Sequence, residues 1–195
     1  FEINNETVLS KIFKNIENVP LKKVYIITNN KFYNMFLSWK GEKNIEIIND
    51  GTNSNDGRLG SIRNIYFSIL KAEIDDDLLI VGGDNFFDFS LKHIYDKFIG
   101  EKKSFIVTKI INDVSKAKQF GVVEVDRENK IINFEEKPEK PKTNLIATLI
   151  YFLKKENIGL IKKYLDEGNN PDSPGYLLEY IHKKIPIYSY SIEDL

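Results

Sequence analysis

Apolar and polar positions alternate along the chain in blocks that predict helices and strands by turns. Residues 7–18 carry apolar side chains at helical spacing, with Asn5 or Thr7 available as the N-cap, and the mostly apolar run Lys23–Thr28 indicates a buried strand. The same patterns predict further helices around 30–39, 61–70, 91–99, 158–165 and 176–184, and further strands at 45–48, 78–81, 104–111, 144–153 and 186–191. Such alternation predicts a mostly parallel sheet with helices on its faces.

The regular alternation stops after residue 120. Two short runs, Gly121–Asp126 and Lys130–Phe134, flank a turn and predict a β-hairpin. In the second helix, we expect the large apolar side chains to pack in the core: Phe32, Phe36, Leu37 and Trp39. No internal repeat or linker divides the sequence, which favours a single domain over residues 1–195.

Composition narrows the expected partners and compartment. The 28 basic and 29 acidic residues are spread through the chain and give a net charge of −1, so we expect neither nucleic acid nor a membrane surface as a partner. With no cysteine, no secretory segment and no long apolar run, we expect a cytoplasmic location. His93 and His182 have no partners at metal-ligand spacing, and we expect surface or packing roles for both.

Two polar stretches directly follow predicted strands. The aliphatic run Leu78–Val81, which we expect to be buried on both faces, ends in two glycines followed by Asp84 and Asn85. Ligands of open α/β sheets bind outside the carboxyl ends of strands, so these two side chains are candidate ligands, the alternative being an ordinary turn. The run Asn49–Gly57, rich in Gly, Asn and Asp, is either a flexible surface loop or a binding loop.

Three motifs in order along the chain carry a family resemblance: Val81–Asn85, Gly121–Val125 and Phe134–Pro138. With them the sequence resembles the sugar-1-phosphate nucleotidyltransferases, the family of glucose-1-phosphate thymidylyltransferase and mannose-1-phosphate guanylyltransferase. The resemblance implies an α/β fold: a Rossmann-like, three-layer, mostly parallel sheet with a β-rich sugar-side extension. It also implies a single catalytic domain incomplete at both ends, with the triphosphate-binding loop expected before Phe1 and a second metal aspartate after Leu195.

The resemblance further implies a reaction. A nucleoside monophosphate passes from a nucleoside triphosphate to a sugar 1-phosphate, giving a nucleotide-sugar and pyrophosphate, with Mg²⁺ as the cofactor. We expect the full-length parent to be the enzyme and this chain alone to be inactive. The alternative is a non-catalytic protein with the same fold that binds sugar nucleotides or has a regulatory role. Homo-oligomer formation is left open. The identity of the sugar is also open, because Leu149 stands where many family members have glycine.

Site residues follow from the same resemblance, position by position. Asp84 is similar to the catalytic Mg²⁺ ligand, and Lys137 is similar to the catalytic cation that contacts the sugar phosphate. The remaining expectations are sugar-binding Asn85, Gly121 and Glu136, and nucleotide-binding Asn53 and Gly57. Without the resemblance, the acidic and basic run Glu135–Lys137 is typical of a solvated charged turn.

Overall fold

The computed structural model describes residues 2–3, 6–54 and 57–194, and these group into two compact units. The first unit comprises residues 1–20, 76–158 and 175–195, and the second comprises 21–75 and 159–174. Because several compact units can belong to one domain, the single-domain assignment stays a prediction. No helix among the described residues is long and apolar enough to cross a membrane.

The helices and strands follow the predicted order closely. In chain order the helices are α1 (Val8–Ile16), α2 (Asn30–Lys40), α3 (Ser61–Lys71), α4 (Lys92–Glu101), α5 (Gly159–Asp166) and α6 (Pro174–Ile181). The strands are β1 (Glu2–Ile3), β2 (Glu6–Thr7), β3 (Val24–Thr28), β4 (Ile45–Asn49), β5 (Leu78–Val81), β6 (Phe105–Ile110), β7 (Gly121–Val125), β8 (Ile131–Glu136), β9 (Leu145–Leu153) and β10 (Tyr188–Ser191). The α/β class is confirmed.

A six-stranded sheet organises the first unit, in the order β10–β6–β9–β7–β8 with β5 also paired to β9. β6 and β10 run parallel, whereas β9 runs antiparallel to β5, β6 and β7. Since β5 and β6 both oppose β9, they run in the same direction, as expected for strands of an alternating α/β sheet. The predicted hairpin is confirmed as β7 and β8, which pair Gly121 with Glu136.

Aromatic and aliphatic side chains fill the core of the first unit. Phe105, Phe134 and Phe152 are at most 2% exposed, and each such burial contributes about 1.5–3 kcal/mol. The expectation that Leu78–Val81 is buried on both faces is wrong, because all four residues of β5 are only half-buried. Among the described strands β5 pairs with β9 alone, so its other edge lacks a neighbouring strand to cover it.

The second unit is built on the parallel pair β3–β4 with α2, α3 and α5. The side chain of Asn29 caps α2, yet no residue of this helix is fully buried. The predicted core packing of its large side chains is therefore wrong: Phe32 and Leu37 are exposed, and Phe36 and Trp39 are half-buried. Apolar residues at helical spacing show which face is apolar, but they do not show that another element covers it.

Candidate functional site

The segment after β5 is a tight turn that presents Asp84 to solvent. The backbone N–H of Asn85 donates to the carbonyl of Gly82 at 3.0 Å, which closes the turn; the ligand role of its side chains stays a prediction. Gly82 is buried, whereas Asp84 is exposed. A Cβ at Gly82 would lie 3.2 Å from Cβ of Leu149 and 3.3 Å from a carboxylate oxygen of Asp84. The glycine thus allows strand β9 and the Asp84 carboxylate to approach the same point of the backbone.

Strand β9 is irregular at Leu149, where it adjoins this turn. Ile106 pairs with Tyr151 and Thr108 pairs with Ala147, so β9 has two more residues than β6 in this interval. Such a bulge breaks the ladder and re-aims the backbone. The Leu149 carbonyl accepts hydrogen bonds from the N–H of Gly82 and from the side-chain amide of Asn85, both at 2.9 Å.

The bulge lies in a gap between two strands. β6 pairs along one edge of β9, so β5 and β7 must share the other edge, β5 opposite residues 150–153 and β7 at Ile146. Between them, residues 147 and 148 pair with neither strand on that edge, and the Leu149 carbonyl is bonded by the turn after β5 and not by a strand; we call residues 147–149 the sheet gap. The turn at Gly82–Asn85 borders the gap on one side and Gly121 borders it on the other. Asp84 and Asn85 therefore lie at one side of this stretch of β9, and Gly121, which pairs with Glu136, lies at the other.

Glu136, at the end of β8, occupies a recess lined by two glycines. It faces Gly121 across the hairpin, and a Cβ at Gly121 would lie 3.1 Å from a Glu136 carboxylate oxygen and overlap the ring of Phe134. At Gly175, in the first turn of α6, a Cβ would overlap the Glu136 carboxylate itself. Gly121, Gly175 and the carboxylate of Glu136 form what we call the glycine recess. A Cβ at Gly175 would displace the carboxylate from this position, and one at Gly121 would crowd it.

Further polar groups surround Glu136. Its backbone N–H donates to the carboxylate of Glu179 on α6 at 3.3 Å, and Glu179 also pairs with Lys183 at 3.6 Å. Tyr151 on β9 is 3% exposed. Burial raises the pKa of the Tyr151 phenol, and the negative charge of Glu136 raises it further. The phenol therefore stays neutral across the physiological range beside a carboxylate.

Glu135 and Lys137, the residues on either side of Glu136, have other hydrogen-bond partners. Glu135 accepts a hydrogen bond from Lys142 at 2.7 Å, which holds its pKa below the usual range. Lys137 is exposed and has a φ of 49°, in the left-handed region that non-glycine residues rarely adopt. Its backbone N–H donates to the carbonyl of Phe120 at 3.0 Å, which fixes this conformation next to Gly121.

The predicted nucleotide residues lie in the second unit. The side-chain nitrogen of Asn30 donates to the carbonyl of Gly51 and to the side-chain oxygen of Asn53, and Asn49 donates to the side chain of Asn30. Gly57 is exposed, and the two residues before it lie outside the described part of the chain. Asparagine side chains therefore shape the loop as far as Asn53.

Sequence reasoning missed three groups near Glu136. Glu179 lies in a helix that was predicted over 176–184 without a role, Gly175 lies just before that predicted helix, and Tyr151 lies in a predicted strand. The Pro-Gly pair at 174–175 at the start of a helix is a signal that could have drawn attention to that helix terminus, because glycine lowers helix stability. No local pattern marks Tyr151, since an aromatic residue in an apolar strand is ordinary.

Comparison with known proteins identifies the family. The sequence model of the nucleotidyl transferase family matches residues 1–190. The chain belongs to this family. It is 29% identical over 163 residues to the bifunctional protein GlmU of Methanocaldococcus jannaschii, covering 83% of this chain and 36% of that protein. It is 30% identical over 142 residues to glucose-1-phosphate adenylyltransferase 1 of Vibrio parahaemolyticus, covering 66% of the chain and 35% of the relative.

The fold comparison agrees with the family. A Bacillus anthracis structure named for glucose-1-phosphate thymidylyltransferase, determined in complex with a sucrose, is similar with a TM-score of 0.83. The similarity covers 98% of this chain and 76% of the other at 17% identity, and it confirms the predicted Rossmann-like fold class. The chain spans only about a third of the length of the two curated relatives above.

Proposed function

We propose that the protein containing this chain transfers a nucleoside monophosphate from a nucleoside triphosphate to a sugar 1-phosphate. A phosphate oxygen of the sugar attacks the α-phosphorus, the bond to the β-phosphate oxygen breaks, and pyrophosphate leaves. One observation carries the proposal: in a member of the nucleotidyl transferase family, the Asp84 turn and Gly121, the residue that pairs with Glu136, border the same gap in the sheet. A recognition carboxylate and a cation-binding carboxylate carried by one sheet suit two polyanionic reactants.

Glu136 is assigned to the sugar hydroxyls. An ionised carboxylate only accepts hydrogen bonds and can accept two hydroxyl hydrogens at once. Its half-buried position in the glycine recess supports this role, because a solvated charged turn needs no such recess. Gly121 is assigned to the sugar through its backbone, and Asn85, oriented by its bond to Leu149, is assigned to a further hydroxyl.

Mg²⁺ is the proposed cofactor, held by Asp84. The described residues contain no cluster of three or more histidine and acidic side chains that could hold a metal by themselves. Mg²⁺ commonly takes one or two carboxylates and completes its shell with substrate phosphates and water. The exposed carboxylate of Asp84 fits that mode, and the ion would neutralise triphosphate charge there.

Lys137 in the first unit is the proposed cation for the sugar phosphate, and Asn53 and Gly57 in the second unit are the proposed nucleotide-binding residues. The left-handed backbone of Lys137 supports a functional role, because such strain persists at sites that use it. Its ammonium would neutralise the sugar phosphate. Asn53 and Gly57 are assigned to the base, and the asparagine network around Asn53 favours a binding loop.

The absence of cysteine supports a cytoplasmic location.

A pyrophosphate-release screen of the full-length protein tests the proposal. Nucleoside triphosphates and sugar 1-phosphates are combined pairwise with Mg²⁺, and at least one pair should turn over. Asp84→Asn should abolish turnover, and Asp88→Asn, a nearby exposed carboxylate, is the matched control that should retain it. Near-normal turnover by Asp84→Asn would refute the metal assignment. Tight binding of a nucleotide-sugar without turnover of any pair would favour the non-catalytic alternative.

A further inference from the structure

Gly175 is a glycine whose presence its own backbone does not require. The φ angle of Gly175 is not positive, so other residues could adopt its backbone conformation. It lies in the first turn of α6, where alanine would be more stable by up to about 1 kcal/mol. Both Pro174 and Gly175 are buried. A Cβ at this position would overlap one carboxylate oxygen of Glu136 and lie 3.0 Å from the other. The packing of Glu136 is therefore the physical reason for glycine here.

Helix α6 contacts Glu136 at a second point, one turn further along. Glu179 accepts the hydrogen bond from the Glu136 backbone N–H, so one helix borders both the side chain and the main chain of this residue. The helix itself is firmly packed, since Leu177, Leu178 and Ile181 are at most 1% exposed. It therefore acts as a rigid support rather than a surface element.

We propose that α6 positions Glu136 for sugar recognition, with Gly175 and Glu179 as positioning residues. Gly175 leaves the space that the carboxylate fills, and Glu179 fixes the backbone from which the carboxylate projects. The inference rests on the proposed function only in assigning Glu136 to the sugar. A change at either residue should therefore weaken recognition of the sugar 1-phosphate and leave recognition of the nucleoside triphosphate intact.

The first test separates the two substrates kinetically. In the full-length protein, Gly175→Ala should raise KM for the sugar 1-phosphate by about tenfold, because a displaced carboxylate loses a charge-assisted hydrogen bond, while KM for the nucleotide stays within about twofold. The matched control is Gly100→Ala in α4, where an added Cβ meets open space. It should leave both KM values unchanged. Equal rises for both substrates in Gly175→Ala would overturn the proposal.

Glu179 provides a second variant pair that does not depend on Gly175→Ala folding. The side-chain oxygen of glutamine can still accept the Glu136 N–H, whereas alanine cannot, and both changes remove the ion pair with Lys183. Glu179→Ala should raise KM for the sugar 1-phosphate by about threefold to tenfold. Glu179→Gln should keep this KM close to that of the parent protein. Equal KM values for the two variants would refute the positioning role of Glu179.

A double-mutant cycle tests the recess without any assay of activity. Gly175→Ala should lower the melting temperature of the parent protein but not of the Glu136→Ala variant, in which the overlapping carboxylate is gone. An equal loss in both backgrounds would overturn the inference. If no substrate pair turns over, the proposed function fails. The cycle still tests whether Gly175 contacts the carboxylate of Glu136. Coupling in the cycle without a change in sugar KM would refute the role in recognition.

Discussion

Lys137 offers a direct measurement of strain stored beside the sheet gap. Its φ of 49° forces a side chain into the left-handed region, and the hydrogen bond from its N–H to Phe120 keeps it there. Two substitutions separate the strain from the loss of the ammonium. Lys137→Ala removes the cation and retains the strain, because alanine has a Cβ, whereas Lys137→Gly removes both.

The expected difference follows from two opposing contributions. A left-handed backbone costs a residue with a Cβ roughly 1–2 kcal/mol relative to glycine. Glycine loses more conformational freedom on folding, which offsets about 0.5–1 kcal/mol of that gain. Lys137→Gly should therefore be more stable than Lys137→Ala by about 0–1.5 kcal/mol, with a midpoint of about 0.75 kcal/mol. For a chain of 195 residues the midpoint corresponds to a melting temperature higher by about 1.5–3 °C.

Urea unfolding and thermal melting of the two purified variants give the comparison, and pyrophosphate release gives their activity. Both variants should lose most of the activity, because neither has the ammonium assigned to the sugar phosphate. A Lys137→Ala variant that is more stable than Lys137→Gly would refute the strain argument. Normal turnover by either variant would refute the catalytic assignment of Lys137 while leaving the strain argument intact.

Two further predictions concern stability. Gly121→Ala should lower the free energy of unfolding by about 1–3 kcal/mol in urea titrations, because the added Cβ overlaps the buried ring of Phe134; an unchanged midpoint would contradict this packing. Burial lowers the pKa of His182 in the folded state below the usual value for histidine, and the positive charge of Lys183 lowers it further. Stability should be full above pH 6.5 and fall below it, because the unfolded state binds the proton first. His182→Gln should flatten this slope, His93→Gln should retain it, and an unchanged slope in His182→Gln would exclude His182 as its cause.

Local features of the fold could be predicted from the sequence because their determinants are local. Thr7 caps α1 by accepting the N–H of Ser10, as its position before an apolar helix predicts. The hairpin β7–β8 follows from two strand-like runs around a turn, in which the carboxylate of Asp126 accepts the N–H groups of Glu128 and Lys130. Each of these requires only residues within a few positions of one another.

The remaining features depend on residues far apart in the sequence. Nothing near Leu149 indicates that β5 and β7 share one edge of β9, because the sheet gap is a consequence of pairing among three strands. The contact between Gly175 and Glu136 joins a helix to a hairpin. The aliphatic run of β5 predicted a strand correctly, but burial depends on which neighbours a strand acquires. Motifs located Asp84 and Glu136, whereas only the structure located what holds Glu136.

At the bulge, the main chain and the side chain of Leu149 have separate roles. Gly82 and Asn85 both bind the main-chain oxygen of Leu149, an atom that every amino acid has, so these two bonds do not depend on the side chain at this position. The side chain is half-buried at the border of the proposed sugar site. Position 149 can therefore vary during evolution, or in a library of variants, with little cost to the surrounding backbone. It is the position at which we would begin to redesign the proposed sugar site.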